Sequence, residues 1–369
     1  MKGFIDSIGK KKLIIIAAAF VGFIVFLIVM MLIIHAISGS KVSYKDIENK
    51  LLSGAKSYYK KNSDLLPQSE GAETSVDDVT LTASDCMKPM GDLTSKMNGV
   101  TCTGKVIVNY VGGNYRYVPL LDCGESYKTE TLVGHILNNE TKVFQGQGLY
   151  DLNGESVYRG ENPNNYIRFS GKNYRIVKIV DNKAMIILNE KYGRATWDDR
   201  YNVDRGRNEG INDYTVSRMK ETLASVLNED KLVSSDDKSK LSIYNLYIGK
   251  RSTTDNYNDG SIEKSVIDSN QYIGLLPLYD YFNASIDGLC QSVETKNCSN
   301  YNYLGNFDYV WWLLTADSSS SQRVFKVVDA KVETARADSQ YFIRPVFMLS
   351  DSILYAGGTG TEDDPYLVK

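Results

Sequence analysis

Residues 166–190, YIRFSGKNYRIVKIVDNKAMIILNE, decide how this chain is read. Three short apolar runs are broken at Ser170-Gly171-Lys172-Asn173 and at Asp181-Asn182-Lys183. Turn-forming residues between strand-length runs predict a three-stranded meander. Beyond it, strand-like pieces return at 272–282 (YIGLLPLYDYF), 309–316 (YVWWLLTA), 323–328 (RVFKVV) and 341–349 (YFIRPVFML). Between them, Thr215 is placed to cap a helix that aligns Val216, Met219, Leu223 and Val226 on one face. The polar stretch 228–270 reads as a surface wrap, and GGTGTEDDPYLV near the end as a turn with a short strand. Short strands that display long polar loops predict an α+β domain over 157–369, preceded by a turn-rich connector at 129–156.

The N-terminal third has a different texture. Residues 13–34 form an uncharged apolar run of 22 residues, which as a helix extends roughly 33 Å. Lys2, Lys10, Lys11 and Lys12 precede it, so the positive-inside rule puts residues 1–12 in the cytoplasm. The run is too long for a signal-peptide core and the following HAISGSK is a poor cleavage site. An uncleaved signal-anchor over 13–35 is expected, with the bulk of the chain extracellular and the lipid bilayer as a partner through one N-terminal helix. Over 43–61, Tyr44, Ile47, Leu51, Ala55 and Tyr58 recur at helical spacing, which predicts an amphipathic stalk. A polar linker, 62–78, leads to a small β domain at 79–128. Within that domain, Val106, Val108 and Tyr110 alternate up to a Gly112-Gly113-Asn114 turn, and Tyr115 and Tyr117 alternate on the return.

Composition narrows the partners. The formal net charge is -3; four lysines against one aspartate give the first twelve residues +3, so the remainder carries -6. That leaves no basic patch for nucleic acid. Tyrosine is abundant, 26 residues against 3 Trp and 11 Phe, and suits half-buried strands and recognition surfaces. The five cysteines show no CxxC spacing and the histidines are only His35 and His135, so a zinc centre is not expected. On the outer side of a membrane the cysteines read as disulfides. Cys290 with Cys298 is the favoured pair. Cys102 with Cys123 would staple a hairpin, while Cys86 with either stays open, and the odd thiol is free or links two chains.

GENPNNYIRFSGKNYRIVKIV, YVWWLLTADSSSSQRVFKVVDA and YFIRPVFMLS together resemble a domain of uncharacterised surface proteins of Gram-positive bacteria. The last two are similar to the WLRS … RPA pattern of domains related to the C-type-lectin-like and sulfatase-modifying-factor folds. The resemblance covers 157–352 and implies a C-type-lectin-like domain outside the cytoplasm. It places Trp311 or Trp312 on a core strand and Arg344-Pro345 at the start of the final strand. The anchor and following helix resemble type IV pilins in layout only, because the cleavage-site glycine, the phenylalanine and the fifth-position glutamate are missing.

Candidate sites follow from residue chemistry. On a strand Trp311 and Trp312 face opposite ways, so one belongs to the core and the other is the candidate sugar-stacking platform. Arg344 inside an apolar strand needs a partner, for which Asp317 and Asp329 are placed. Glu362, Asp363 and Asp364, or Asp255, Asn256, Asn258 and Asp259, offer oxygen ligands for weak extracellular calcium, without EF-hand spacing. Glu161-Asn162-Pro163-Asn164 is like the Glu-Pro-Asn triplet of calcium-dependent lectins, broken by the inserted Asn162. No resident metal or cofactor is expected. There is no GxSxG, HExxH or phosphate-binding loop, and among 45 acidic residues no glycosidase pair can be selected. The expected role is non-enzymatic: adhesion, envelope structure, or binding of a cell-wall glycan or surface protein. A pilus-like or envelope-assembly component, which would self-assemble, is the alternative, and an enzyme acting on wall polysaccharide comes third.

Overall fold

The computed structural model describes residues 42–369 apart from 71, 96, 98, 112, 256–258 and 294–297. The expected cytoplasmic end and membrane span, 1–12 and 13–35, lie outside the described residues. Among those described, no helix is long and apolar enough to cross a membrane. The structure is mixed α+β and rich in strands.

The amphipathic pattern at the start forms the helix Tyr44–Lys61. Ser43 caps it: its hydroxyl accepts from Asp46 N at 3.2 Å while the Asp46 carboxylate accepts from Ser43 N at 2.9 Å. Ile47, Leu51, Ala55 and Tyr59 are buried, whereas the expected Tyr58 is only half-buried. This helix is not a free stalk. It packs on a sheet made of strand β1 (Glu73–Asp77) and the hairpin β2 (Thr103–Val111) and β3 (Asn114–Asp122). A hairpin with one apolar face needs a cover, and the helix supplies it. Ile47, Leu51, Tyr59, Val76, Val106, Val108 and Leu121 share one core. The expected linker is corrected by β1, which pairs antiparallel with β2, Val76 opposite Val106. Only Val76 of that strand is buried, so its sequence carries almost no strand signal.

The connector at 129–156 is also corrected. It contains the helix Leu132–Asn139, whose Leu132, Val133 and Ile136 are buried, the strand β4 (Gly148–Leu152) and the start of β5 (Glu155–Arg159). All three belong to the large domain, which therefore begins well before residue 157. The meander forms as read: β6 (Tyr166–Phe169), β7 (Lys172–Val180) and β8 (Lys183–Leu188), joined antiparallel. Ser170 and Gly171, then Asp181 and Asn182, have φ between 50° and 75°, the left-handed pairs that tight hairpins demand.

Around it, among the described residues, ten strands join. The short β10 (Leu241–Ser242) and β13 (Ile273–Gly274) flank the later β18 (Val346–Leu349), which pairs with β8; β19 (Tyr355–Gly357) and β20 (Tyr366–Val368) close the other side. A second sheet runs in the order β16 (Lys331–Arg336), β15 (Arg323–Val328), β14 (Trp311–Ala316), β17 (Gln340–Ile343) and β9 (Tyr192–Thr196). The ribbon β11 (Tyr244–Tyr247) and β12 (Ile267–Gln271) stands apart. One hydrophobic core joins the two large sheets.

Three details differ from expectation. The helix Arg218–Asn228 is capped by Ser217, not Thr215, and Val216 is exposed, because Thr215 and Val216 form a separate turn ahead of the cap. Arg344-Pro345 leads into β18, an interior strand, and β19 and β20 still follow. The final strand is β20, which pairs parallel with β6.

Candidate functional site

Both disulfides form, Cys102–Cys123 and Cys290–Cys298, and Cys86 is free. Cys102 and Cys123 lie just past the last hairpin pair, Thr103 opposite Asp122, where a staple was expected.

Trp311 and Trp312 are both fully buried, because β14 runs through the middle of its sheet with every side chain covered. Trp312 Nε1 donates to Ala195 O at 3.0 Å, and its ring meets Tyr341 edge-on. Neither indole presents a face to a sugar, which removes the stacking platform. Arg344 is buried as foreseen, but without a carboxylate. Its Nε donates to Leu188 O at 3.0 Å and Nη1 to Leu304 O at 3.3 Å, and the guanidinium lies over Phe307 and Trp311. Burial lowers its pKa to about 10. Asp317 instead accepts from Ser319 N and Oγ, and Asp329 sits exposed in a hairpin turn. Pro345 O accepts from Leu188 N at 3.0 Å.

The oxygen-rich loops are tied up internally. Glu362 accepts from Tyr166 OH, Asp364 from Thr359 Oγ1, Asp255 from Ser252 N and Asp259 from Ser261 N. Asn256 and Asn258 lie outside the described residues. Among those described, no three metal-ligating side chains gather as a metal site would require. Asn162 and Pro163 serve as acceptors for Arg175, which is sandwiched between Tyr166 and Tyr303.

Sequence reasoning did not single out the arrangement that gathers the most chemistry. A bulge in β7 sets Lys178 opposite Met185 while Ile176 faces Ile186, leaving Val177 as the extra residue. Bulges re-aim side chains. Lys178 Nζ lies 2.9 Å from Glu155 Oε2, 2.9 Å from Tyr279 OH and 2.9 Å from Asp280 Oδ1. Glu155 starts β5, whose Val157 pairs with Lys178. Tyr279 and Asp280 come from the buried helix Leu278–Asn283, fixed where Leu278 N donates to Thr315 Oγ1 at 2.9 Å. Gly260, at φ +74°, backs the Tyr279 ring, and a Cβ there would fall 2.9 Å from it.

Electrostatics at this cluster are those of a dry site. Burial raises the Asp280 carboxyl to about 6, partly offset by Lys178. Burial also works against the Lys178 ammonium, but Asp280, Tyr279 and Glu155 outweigh it and hold the pKa high. That ammonium donates to Glu155 and Tyr279 and faces Asp280 Oδ1 at 2.9 Å.

Glu155 and Lys178 form the inner end of a cleft of about 260 Å³. Its walls are Val180, Asp181, Lys183 and Met185 on the meander side, and Tyr244, Asn245, Tyr247 and Asn270 on the ribbon. Tyr244 OH donates to Val346 O at 3.2 Å and Lys220 pairs with Asp268 at 2.7 Å, which seats the ribbon. Gly274 lets Leu246 approach, since a Cβ would lie 2.4 Å from its methyl. The volume is slightly below the roughly 300–1,000 Å³ of drug-sized ligand sites. Amides, phenols and charges of both signs along two aromatic rings suit one polar ring or chain end. A larger groove of about 760 Å³ beside Val42 sets Ile47 and Leu93 among the exposed charges of Asp46, Lys50, Lys88 and Asp92.

The signal in the sequence was the lysine inside the apolar run IVKIV, since a charge in a buried strand needs a partner. Its partners lie 23 residues before and 102 residues after it, beyond the reach of any local motif. Comparison with protein-family models, with curated proteins and with solved structures found no match.

Proposed function

We propose that this chain is a membrane-anchored, extracellular binding protein whose large domain holds a polar ligand, a cell-wall glycan or the exposed end of a surface protein, in the cleft beside Tyr244 and Tyr247. The observation that carries this reading is the cleft itself: a polar and aromatic lining whose innermost charges, Glu155 and Lys178, are paired with each other. The apolar run at 13–34 and the two disulfides support the location, since disulfides persist in oxidising compartments. The kinship with Gram-positive surface proteins carrying C-type-lectin-like domains belongs to the same proposal. It is supported by the buried Trp311-Trp312 strand.

The test is binding of the purified full chain in detergent to a glycan array and to cell-wall fractions. Saturable binding that Tyr247→Ala and Asn270→Ala weaken at least tenfold, with the fold unchanged, supports the reading. Equal binding by both variants, or none by the wild type, refutes it for this cleft.

A second reading has its own observation. The helix Tyr44–Lys61 lies on a three-stranded antiparallel sheet with a disulfide at the hairpin end, so a helix continuing the apolar run would carry a small globular head. That layout supports a pilus-like or envelope-assembly component. Crosslinking the full chain in its own membrane gives ladders under this reading, and single bands count against it.

A further inference from the structure

We propose that Lys178 and Asp280 become joined by an amide bond that the folded chain makes for itself, with Glu155 carrying the proton. The inference is independent of whether the cleft binds a ligand. It begins from an anomaly. Asp280 is 1 % exposed, and neither of its carboxyl oxygens accepts a well-directed hydrogen bond, although Lys178 Nζ approaches Oδ1 to 2.9 Å. Buried polar groups are nearly always satisfied, and an unsatisfied one calls for a reason. The carboxyl carbon is no farther from Nζ than one C–O bond beyond that contact. Both groups sit on rigid elements, a sheet strand and a fully buried helix, so no search is needed to bring them together.

The chemistry balances within the chain. Its acceptors hold Lys178 as an ammonium at rest; the reactive form is the minor one in which one proton has passed to Asp280, leaving a neutral amine beside a carboxylic acid. The amine lone pair attacks Cγ of Asp280. As the C–N bond forms, Glu155 Oε2, 2.9 Å from Nζ, takes the surplus proton and delivers it to the departing hydroxyl, which leaves as water. Ammonium and carboxylate have become amide and water, Glu155 is again a carboxylate, and no outside reactant is consumed. Tyr279 OH, also 2.9 Å from Nζ, orients the amine.

Neighbouring pairs explain the choice of partner. Glu155 accepts a directed hydrogen bond from Lys178, lies near Lys264 at 3.5 Å and borders the cleft, which suits it to carry the proton rather than to be the bonded partner. Among the described residues the other fully buried pair is Arg251 with Glu263 at 3.0 Å, and a delocalised guanidinium is a poor nucleophile that does not condense.

The test is intact mass spectrometry of the reduced, purified full chain, followed by fragmentation of its tryptic peptides. The expected result is a loss of one water from the sequence mass and a branched peptide joining Lys178 to Asp280. Lys178→Arg and Glu155→Gln, each checked for folding by circular dichroism, should keep the full mass. A folded wild-type chain at its full sequence mass overturns the proposal. So does a water loss mapped elsewhere, including a bond from Lys178 to Glu155. A bond that still forms in Glu155→Gln overturns the part assigned to Glu155.

Discussion

Ser352 donates its hydroxyl to Asn109 Oδ1 at 2.9 Å, joining the segment after β18 to the middle strand of the small sheet. Asn109 in turn donates Nδ2 to Glu73 Oε2 at 2.7 Å, so one amide links β1, β2 and the large domain. Arg116 adds weaker contacts, at 3.4 Å each, to Ser352 Oγ and Lys369 O. Asn109→Ala removes the amide bonded to both Ser352 and Glu73, while Ser352 keeps Ser350 and Glu73 reaches solvent, and should cost about 0.5–1.5 kcal/mol. Hydrogen exchange is the direct measurement: amides of β1 and of 350–354 should exchange faster together. Unchanged protection in either segment would show that the two parts associate without this contact.

Asp198 organises the loop after β9. Its Oδ1 accepts from Arg200 N and Ile211 N, and its Oδ2 from Arg200 Nε and Arg218 N. Burial pushes its pKa up, but these hydrogen bonds outweigh it and hold the carboxyl below its ordinary value. The folded pKa is therefore the lower one. The stabilisation is present above the unfolded value of about 3.9 and lost as pH falls through the folded one. Asp198→Asn should cost about 1.5–3 kcal/mol at neutral pH. The gap from wild type in urea denaturation should close below pH 4; a gap constant down to pH 2 would refute the assignment.

Trp312 and Arg344 should behave as structural residues. Trp312→Ala removes a fully buried ring and its hydrogen bond to Ala195 O, at a cost of about 3–5 kcal/mol. Arg344→Ala strips the Leu188 and Leu304 carbonyls of their donor. Thermal unfolding should shift strongly in both. A ligand affinity that falls while the melting temperature stays put would reverse this reading.

The two disulfides should differ in effect. Replacing Cys102 and Cys123 by Ser is expected to cost about 2–5 kcal/mol. The Cys290 and Cys298 pair closes a shorter loop, with a separation of 8 against 21, and in the chain-entropy account contributes about 0.9 kcal/mol less. Denaturant midpoints of the two double variants check the order. Cys86→Ser should leave the midpoint unchanged, since Cys86 belongs to neither bridge.

What the sequence determined by itself was whatever is encoded locally. The meander turns at Ser170-Gly171 and Asp181-Asn182, the helix over Tyr44–Lys61 and both disulfides were legible because each rests on nearby residues, or on a hairpin that brings distant cysteines together. Tertiary structure decided the rest. β1 is a strand only because β2 offers a free edge to a segment with one apolar side chain. Arg344 took carbonyls and rings rather than an aspartate because packing, not charge, brought its neighbours. The buried Lys178, Glu155, Tyr279 and Asp280 meet only where two strands and a helix converge. Alternation and spacing record which face a residue takes along its own element. They do not record which distant element will close over it, and that closure set both the burial of the two tryptophans and the chemistry around Lys178.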